Sequence, residues 1–434
     1  MSRQSWVVSL YNWMVKSDEK KDEDKPSVAR NFIRLITAQF LTNTGDAIVN
    51  PKVTLPWLLQ SVGAPTFLVA WLVPIRESGS LLPQLFIASA MRRLTIRKWV
   101  WVVGSVIQAL SLLLMALVAS SLEGYIAGIS IILLLACFSL ARGLNSVATK
   151  DILGKAIPKS ERGQVTGLSA SAAGLVTIGI GFMMALSYAY DWQTSSYFIW
   201  GLIAGAVLWL LSALIFSRVD EPKGEADDTD FSVMRSLSQL SLLISDKEFR
   251  HFVITRACFL GTALAAPYYV LLAEERIGDS IWVLAMFMVI SGLAGLVSGP
   301  FWGRFSDVSS RKVLILASSL GALTSIALFA IAQWLPEALA SFWLLPGLYF
   351  LLTVFHQGIR VGRKTYLVDM AEGNKRTSFV AVGNTAIGMM LLVFSLIGLL
   401  SEVVTLDMLI FIYALITIVG VLMAMRLPEV SKRS

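Results

Sequence analysis

Three charged side chains, Asp46, Arg76 and Glu77, lie near the middle of long apolar segments of this sequence. Asn43 and Asn50 share the helical face of Asp46. A charge at that depth in a membrane costs about 3 kcal/mol on insertion scales, so it usually faces a polar interior and takes part in binding or transport. The alternative is an ion pair that only fixes helix packing. The pattern therefore predicts a polar site inside a membrane-spanning bundle.

Further candidates lie closer to one end of their apolar segments. Lys52 lies in the first segment after Asn50 and Pro51, and Arg142, Arg256, His356 and Arg360 lie in the third of their segments nearest one membrane surface. Long side chains at such positions reach the lipid headgroups, so for the three arginines substrate binding and snorkelling or gate contacts are equal alternatives. His356 fits a polar helix-end residue better than a proton relay. The candidate binding residues are Asp46, Asn50, Lys52, Arg76, Glu77, Arg142, Arg256, His356 and Arg360.

The balance of these charges favours an anionic substrate. Cations within or at the edge of the apolar segments outnumber the deep carboxylates by six to two. Because a carboxylate in a low-dielectric cavity takes up a proton more readily than in water, Asp46 and Glu77 are both candidates to carry a coupled proton, and the sequence does not rank them. The six cations are Arg34, Lys52, Arg76, Arg142, Arg256 and Arg360.

The elements that must position these residues are membrane-spanning helices. Hydrophobic residues make up 56% of the 434 positions and charged residues 15%, whereas about a quarter of an ordinary soluble domain is charged. A bilayer core about 30 Å thick requires roughly 20 apolar residues per helix. The sequence offers twelve such segments. We therefore expect an all-α membrane protein with twelve transmembrane helices.

The distribution of Lys and Arg predicts the orientation of these helices. The two tails and alternate connections hold 29 of the 36 basic residues, and the remaining connections hold only Arg276. Because basic loops are retained in the cytoplasm, we expect both termini there, in a multi-pass protein of a bacterial cytoplasmic (inner) membrane. The net charge of +7 then reflects topology and does not indicate nucleic-acid binding.

The two halves of the sequence resemble each other at a shift of about 215 residues. Pro83 corresponds to Pro300, Pro51 to Pro267, and Gly143 to Gly358. Each half holds six segments, an even number, so the halves form a parallel repeat. The expected divisions are a six-helix bundle at 32–216 and a second bundle at 250–425, with cytoplasmic tails at 1–31 and 426–434. The first tail is either an interfacial helix or disordered. A cytoplasmic linker at 217–249 joins the bundles and carries a short amphipathic helix near 233–244.

One connection carries a distinctive pattern. The stretch 303–312 contains Gly303, Asp307, Arg311 and Lys312. A glycine at a helix end allows a neighbouring element to approach, and an aspartate beside cations can hold two bundles together as part of a gate. The stretch resembles the loop signature of the major facilitator superfamily, of which the first half keeps only the basic pair.

Resemblance to that superfamily implies two bundles that rock about a midplane site, with helices 1, 4, 7 and 10 lining the cavity. The function expected is secondary active transport of a small, preferably anionic solute by symport or antiport, with a proton or another ion as the coupled partner. Efflux of amphipathic compounds, lipid flipping, and a non-transporting membrane receptor or assembly factor remain alternatives.

Enzymatic activity is not expected from this sequence. Neither a phosphate-binding GxxxxGK[ST] loop nor an HExxH pair is present, and the two cysteines, Cys137 and Cys258, fall inside apolar segments without metal-site spacing. We expect no cofactor and no metal site. The partners expected are a small-molecule substrate, a proton or ion and the lipid bilayer, without nucleic acid, and a monomer is the default because the repeat supplies both halves of a site.

Overall fold

The fold is helical throughout the part of the chain that the structure describes. The computed structural model describes residues 11, 25–91, 93–157, 172, 174–183, 185–186, 194–223, 239–278, 280–370 and 373–430. Within these ranges no β-strand occurs, and nine helices are long and apolar enough to cross a membrane. The prediction of an all-α membrane protein is confirmed. Twelve crossings are consistent with this count, because the first two predicted crossings are each divided into two helices and the fifth is described only in part, as the shorter apolar helix Gly174–Met183.

The first half contains eight described helices. Their bounds are α1 Lys25–Ile48, α2 Thr54–Ser61, α3 Val69–Leu81, α4 Gln84–Met91, α5 Lys98–Ser121, α6 Gly124–Ala156, α7 Gly174–Met183 and α8 Thr194–Ser217, with a 3₁₀ turn at Thr66–Leu68.

The second half repeats this order. Its helices are α9 Leu242–Ser245, α10 Lys247–Cys258, α11 Leu260–Ile277, α12 Ile281–Val308, α13 Ser310–Trp334, α14 Leu344–Met370, α15 Gly373–Ser395 and α16 Leu406–Ala424. The 3₁₀ turns are Gln239–Ser241, Pro336–Ala340 and Leu396–Glu402.

Equivalent helices pack in the same pairs in the two halves. In the first half α5 packs on α6 and α8, α1 packs on α8, and α3 packs on α6. In the second half α13 packs on α14 and α16, α11 packs on α16, and α12 packs on α14. The parallel repeat predicted from the sequence is therefore also a repeat of helix packing.

Prolines at equivalent positions act differently on the backbone. Pro51 separates α1 from α2 and Pro83 separates α3 from α4, whereas Pro267 lies within α11 and Pro300 within α12. A proline removes one backbone donor and crowds the preceding turn, so it either breaks or bends a helix according to what its neighbours supply. The sequence correspondence between the halves thus does not extend to local backbone structure.

The first helix begins at Lys25, inside the segment that the sequence predicted as a tail. Asn31 and Asp220 exchange two hydrogen bonds of 2.9 Å, and Arg34 forms an ion pair with the Asp220 carboxylate, also at 2.9 Å. These bonds anchor the polar first turns of α1 to the chain that follows α8. Apart from Tyr11, the proposed interfacial helix in the tail lies outside the described residues, and so does the first half of the 233–244 segment. The second half of that segment forms the turn Gln239–Ser241 and the start of α9.

A carboxylate that follows the last helix of the first half caps the start of α5. Glu221 accepts hydrogen bonds from the backbone N–H groups of Arg97 and Lys98 at 2.7 to 3.0 Å, and its carboxylate forms an ion pair with Lys155 at 3.3 Å. Arg97 also forms an ion pair with Asp151 of α6. Negative charge at a helix N-terminus satisfies free donors and complements the helix dipole.

The second half has an equivalent contact. Glu429 accepts a hydrogen bond of 2.7 Å from Ser309, whose hydroxyl in turn caps the backbone of Lys312 at the start of α13. Arg311 donates to the carbonyl of Met425 at 2.7 Å. The chain end of each half is therefore held against the start of its third long helix.

Replacing Glu221 with glutamine is expected to lower the free energy of unfolding by about 1–3 kcal/mol, because three charge-assisted contacts lose their charge. Thermal unfolding of the purified protein in detergent measures the change. Glu123→Gln is the matched control, since the Glu123 side chain precedes a helix without making a cap bond. Equal melting temperatures for the two variants would contradict the capping role.

Candidate functional site

A cavity of about 240 Å³ lies between the two halves of the bundle. The first half contributes most of its charged side chains, and the second half contributes mainly hydroxyl, amide and imidazole groups with one arginine. The lining residues are Asp46, Asn50, Pro51, Lys52, Arg76, Glu77 and Arg142 from the first half, and Thr262, Ala266, Ser291, Tyr349, Leu352, Thr353, His356, Gln357 and Arg360 from the second.

The break between α1 and α2 places Lys52 in the cavity wall. Pro51 cannot continue the helix, and the carbonyl of Asn50 instead accepts bonds from the N–H groups of Thr54 and Leu55 at 3.0 Å. The Asn50 side chain accepts the backbone N–H of Lys52 at 2.9 Å and so closes a short turn. Irregular backbone at membrane depth is tolerated where it lines a cavity, which is its position here.

Asp46 is held by two arginines from different helices. Its carboxylate forms an ion pair of 2.5 Å with Arg76 of α3 and another of 2.8 Å with Arg142 of α6. The Arg76 guanidinium is only 4% exposed and lies 4.8 Å from the centre of the Phe138 ring. This arrangement ties α1, α3 and α6 together and uses most of the hydrogen-bonding capacity of Asp46.

The cavity holds a second group of charged side chains, Glu77, Lys52 and Arg360. Unlike Asp46, they form no direct ion pairs in the described part of the chain. The Glu77 side chain is exposed to the cavity and, among the described residues, its carboxylate has no hydrogen bond and no ion pair within 4 Å. Lys52 and Arg360 interact with it electrostatically at longer range. Neither cation has an ion-pair partner in the described part of the chain. Their head groups are therefore available to a ligand.

The second half supplies neutral polar groups. The Nδ1 atom of His356 lies 2.9 Å from the Thr262 hydroxyl, and the Ser291 hydroxyl donates to the Tyr349 hydroxyl at 3.4 Å. Groups of this kind orient a small ligand through directional hydrogen bonds. The expectation that His356 is only a helix-end residue does not fit its place in the cavity wall.

Arg256 does not line the cavity, unlike the other candidate residues. It is 6% exposed on α10 and donates a bond of 3.0 Å to the Asn384 side chain. Asn384 in turn donates to Gln84 at 3.4 Å, across the boundary between the two halves. Snorkelling to the headgroups, one of the two alternatives for this arginine, does not describe a buried side chain with these contacts.

The halves close against each other at the end of the bundle opposite the described chain ends. Helices α3 and α15 run antiparallel, so that Ala70 faces Gly398 at this opposite end. The Glu402 carboxylate accepts the Phe67 backbone N–H at 3.3 Å. A Cβ atom on Gly398 would overlap Ala70, so only glycine permits the observed closure.

The predicted gate signature is only partly visible as a set of contacts. Gly303 lies within α12, and no described residue lies within 4 Å of the position of a Cβ atom there, so the described part of the chain does not supply the expected close approach. Arg311 binds the chain end at Met425, and the Lys312 side chain is exposed. The side chain of Asp307 lies outside what the structure describes.

Sequence reasoning missed several residues of the cavity wall. Tyr349 lies one helical turn before Thr353, so extending the polar stripe of Thr353, His356 and Arg360 backward by four positions could have found it. Thr262 and Ser291 are single hydroxyl residues in apolar helices, and no periodic signal marks them. Their role depends on which faces of α11 and α12 turn inward.

Comparisons with known proteins give a family and a fold. The profile of the Major Facilitator Superfamily matches residues 35–335. An uncharacterized protein of Mycobacterium tuberculosis, Rv2209, is 21% identical over 253 residues, which are 56% of this chain and 47% of the relative. The chain thus spans about half the length of this relative. The multidrug resistance protein MdtG of Proteus mirabilis is 33% identical over 90 residues, 19% of this chain and 22% of that protein.

Solved transporter structures share the fold across nearly the whole chain. A D-xylose-proton symporter superposes with a TM-score of 0.70 at 13% identity, covering 94% of this chain and 99% of that one. A POT family transporter in complex with 5-aminolevulinic acid gives a TM-score of 0.72 at 11% identity, covering 91% and 95%. With the profile match over more than half of its residues, this chain belongs to the Major Facilitator Superfamily.

Proposed function

We propose that the protein is a proton-coupled secondary transporter of a small anionic solute, working by alternating access between its two halves. One observation carries the proposal: Lys52 of the first half and Arg360 of the second line the same cavity without an ion-pair partner among the described residues. An anion bound between them would give both cations a counter-charge, and burial of these cations without a partner is costly.

The cavity size and lining favour a small polar molecule. A volume of about 240 Å³ is below the usual range of roughly 300–1,000 Å³ for drug-sized ligand sites. Hydroxyl and amide groups of the second half, among them Thr353 and Gln357, supply the hydrogen bonds that a charged metabolite requires. Binding to both halves would link solute occupancy to their relative movement.

Two carboxylates, Asp46 and Glu77, are candidates for the proposed proton coupling. Asp46 is already bonded to two arginines, and its protonation would leave both without their partner. Glu77 is exposed to the cavity and makes no such bonds in the described part of the chain. A proton on Glu77 changes the cavity charge at low structural cost, so we assign it the coupling role.

Orientation and assembly form part of the same proposal. The described chain ends lie at the end of the bundle that carries most of the basic residues, and the positive-inside rule assigns that end to the cytoplasm. The observed closure at the opposite end then corresponds to an inward-facing state. We propose a monomer in a bacterial cytoplasmic membrane, with one cavity shared by its two halves.

Uptake by proteoliposomes under an imposed pH gradient tests the transport proposal. The vesicles are offered a mixture of small anionic metabolites with neutral and cationic analogues, and internal contents are identified by mass spectrometry. We expect gradient-dependent movement of anionic compounds only. Arg360→Gln is expected to reduce it at least about tenfold, because a charge-assisted bond contributes about 1.5–3 kcal/mol.

The matched control is Arg276→Gln, which removes an exposed arginine outside the cavity and should transport like the native protein. Equal movement of neutral analogues, or an unaltered rate in Arg360→Gln, would refute the anionic substrate. Movement of amphipathic compounds instead would support efflux; the Proteus mirabilis relative is named a multidrug resistance protein. Movement of no compound by folded, inserted protein would favour the receptor alternative.

A further inference from the structure

We infer that the Glu77 carboxylate is a built-in substitute for the substrate anion, which must accept a proton before that anion occupies the cavity. The inference rests on the proposed anionic substrate and deepens it. It specifies a proton–anion symport in which the Glu77 carboxylate competes with the substrate for the same cations and does not bind the substrate.

Three cations from different parts of the fold, Lys52, Arg76 and Arg360, line the same cavity as Glu77. Lys52 follows the break after α1 and Arg76 precedes Glu77 in α3, while the second half presents three arginines that interact with Glu77 at longer range. The Asp46 carboxylate has the same charge as the Glu77 carboxylate and repels it. The second-half cations that act on Glu77 are Arg256 of α10 and Arg360 and Arg363 of α14.

These cations have few other counter-charges. Among the described residues, Lys52, Arg256, Arg360 and Arg363 have no ion pair within 4 Å, and the Nε atom of the buried Arg256 has no hydrogen-bond partner. Asp46 is engaged by Arg76 and Arg142. Among the described residues, Glu77 is therefore the carboxylate left to balance the charge of these four cations when no solute is bound.

The geometry of Glu77 suits a replaceable anion. Its side chain is exposed to the cavity and, among the described residues, is bonded to no cation, so that no bond among these residues has to break when another anion takes its place. An arriving anion would compete for the same cations and repel the Glu77 carboxylate. Protonation of Glu77 removes that repulsion.

Charge is conserved by this exchange. One proton neutralises Glu77 as one negative charge of the solute arrives, so the total charge of the cavity is the same before and after binding. Proton and anion thus bind together and move in the same direction. Reciprocity requires that each favours the binding of the other by the same factor.

Equilibrium binding of methanesulfonate to the protein in lipid nanodiscs tests the inference, because this probe keeps one negative charge between pH 5.5 and 8. We expect the affinity of the native protein to fall as pH rises, approaching about tenfold per pH unit where one proton is taken up with each anion. Glu77→Gln should bind at least about tenfold more tightly than native at pH 8, without pH dependence.

Three comparisons make the result specific. Glu337→Gln removes an exposed carboxylate outside the cavity and should behave like the native protein. Glu77→Asp retains the charge and should retain the pH dependence. His356 also lines the cavity, and if its protonation were responsible, the pH dependence would persist in Glu77→Gln and the inference would be wrong.

The two possible failures differ. Weaker binding by Glu77→Gln than by the native protein would overturn the substitute-anion role and leave the anionic substrate standing, because it would make Glu77 a ligand. Absence of methanesulfonate binding at every pH, in the native protein and in Glu77→Gln alike, would refute the anionic site itself and the inference with it.

Discussion

Asp46→Asn is expected to lower the free energy of unfolding by about 3–5 kcal/mol, the usual cost of removing one partner from a buried ion pair. Arg76 is 4% exposed and would keep its charge without the carboxylate that now binds it at 2.5 Å. Arg142 would lose its partner at 2.8 Å as well. Denaturant or thermal unfolding in a fixed detergent measures the change, and transport should fall together with the folded fraction.

A double-variant cycle separates the ion pair from a general packing defect. Asp46→Asn combined with Arg76→Gln removes both charges, so we expect the pair of substitutions to destabilise the protein by less than the sum of the two single effects. Additive effects would show that the two residues stabilise the bundle independently. Glu77→Gln is the contrasting variant: its carboxylate has no bonded cation in the described part of the chain, so its loss should destabilise the protein by less than the loss of Asp46.

Gly398→Ala is expected to reduce transport at least about tenfold by preventing closure at the opposite end of the bundle. The new Cβ atom would overlap Ala70 of α3 and lie 2.5 Å from the Tyr268 hydroxyl. Overpacking of this kind costs about 1–3 kcal/mol. Tyr268 belongs to the same half as Gly398, but the overlap with Ala70 exists only while the halves are closed there, so its cost shifts the population toward the state that is open at that end.

Accessibility labelling measures the shift directly. In a background with Cys137→Ser and Cys258→Ser, Ser291→Cys places one thiol in the cavity wall. With Gly398→Ala, a membrane-impermeant thiol reagent should react faster from the opposite end and more slowly from the end that holds the described chain ends. Gly347→Ala is the control, because nothing lies within 4 Å of its Cβ position. Unchanged labelling from both ends would rule out a closure contact at Gly398.

Many of the residues that line the cavity can be predicted from the sequence, by their depth within apolar segments and their helical spacing. Asp46, Asn50 and Glu77 were selected because polar residues inside apolar segments must face a polar interior, and the structure places all three in one cavity. The same argument selected Arg142 and Arg360 without deciding between lipid headgroups and substrate. Both line the cavity, and Arg142 reaches Asp46. Arg256 was grouped with them but lies behind the wall.

Ion-pair partners depend on helix orientation, which periodicity alone does not give. Arg76 and Glu77 are adjacent, and adjacent residues point about 100° apart around a helix. The structure accordingly directs Arg76 to Asp46 and exposes Glu77 to the cavity. This division of roles between two carboxylates, which the sequence did not rank, follows from the position of α6, because its Arg142 completes the binding of Asp46.

The sequence by itself determined that the chain is an all-α membrane protein with a parallel repeat and charges at membrane depth. Hydrophobic length, helical spacing and the correspondence between the halves are local or periodic properties, and each can be read without knowing which helices meet. Only the tertiary structure decided which charges bind each other, which remain available to a solute and where the halves close. Those outcomes depend on contacts such as Arg256 with Asn384 and Ala70 with Gly398, between residues far apart in the chain.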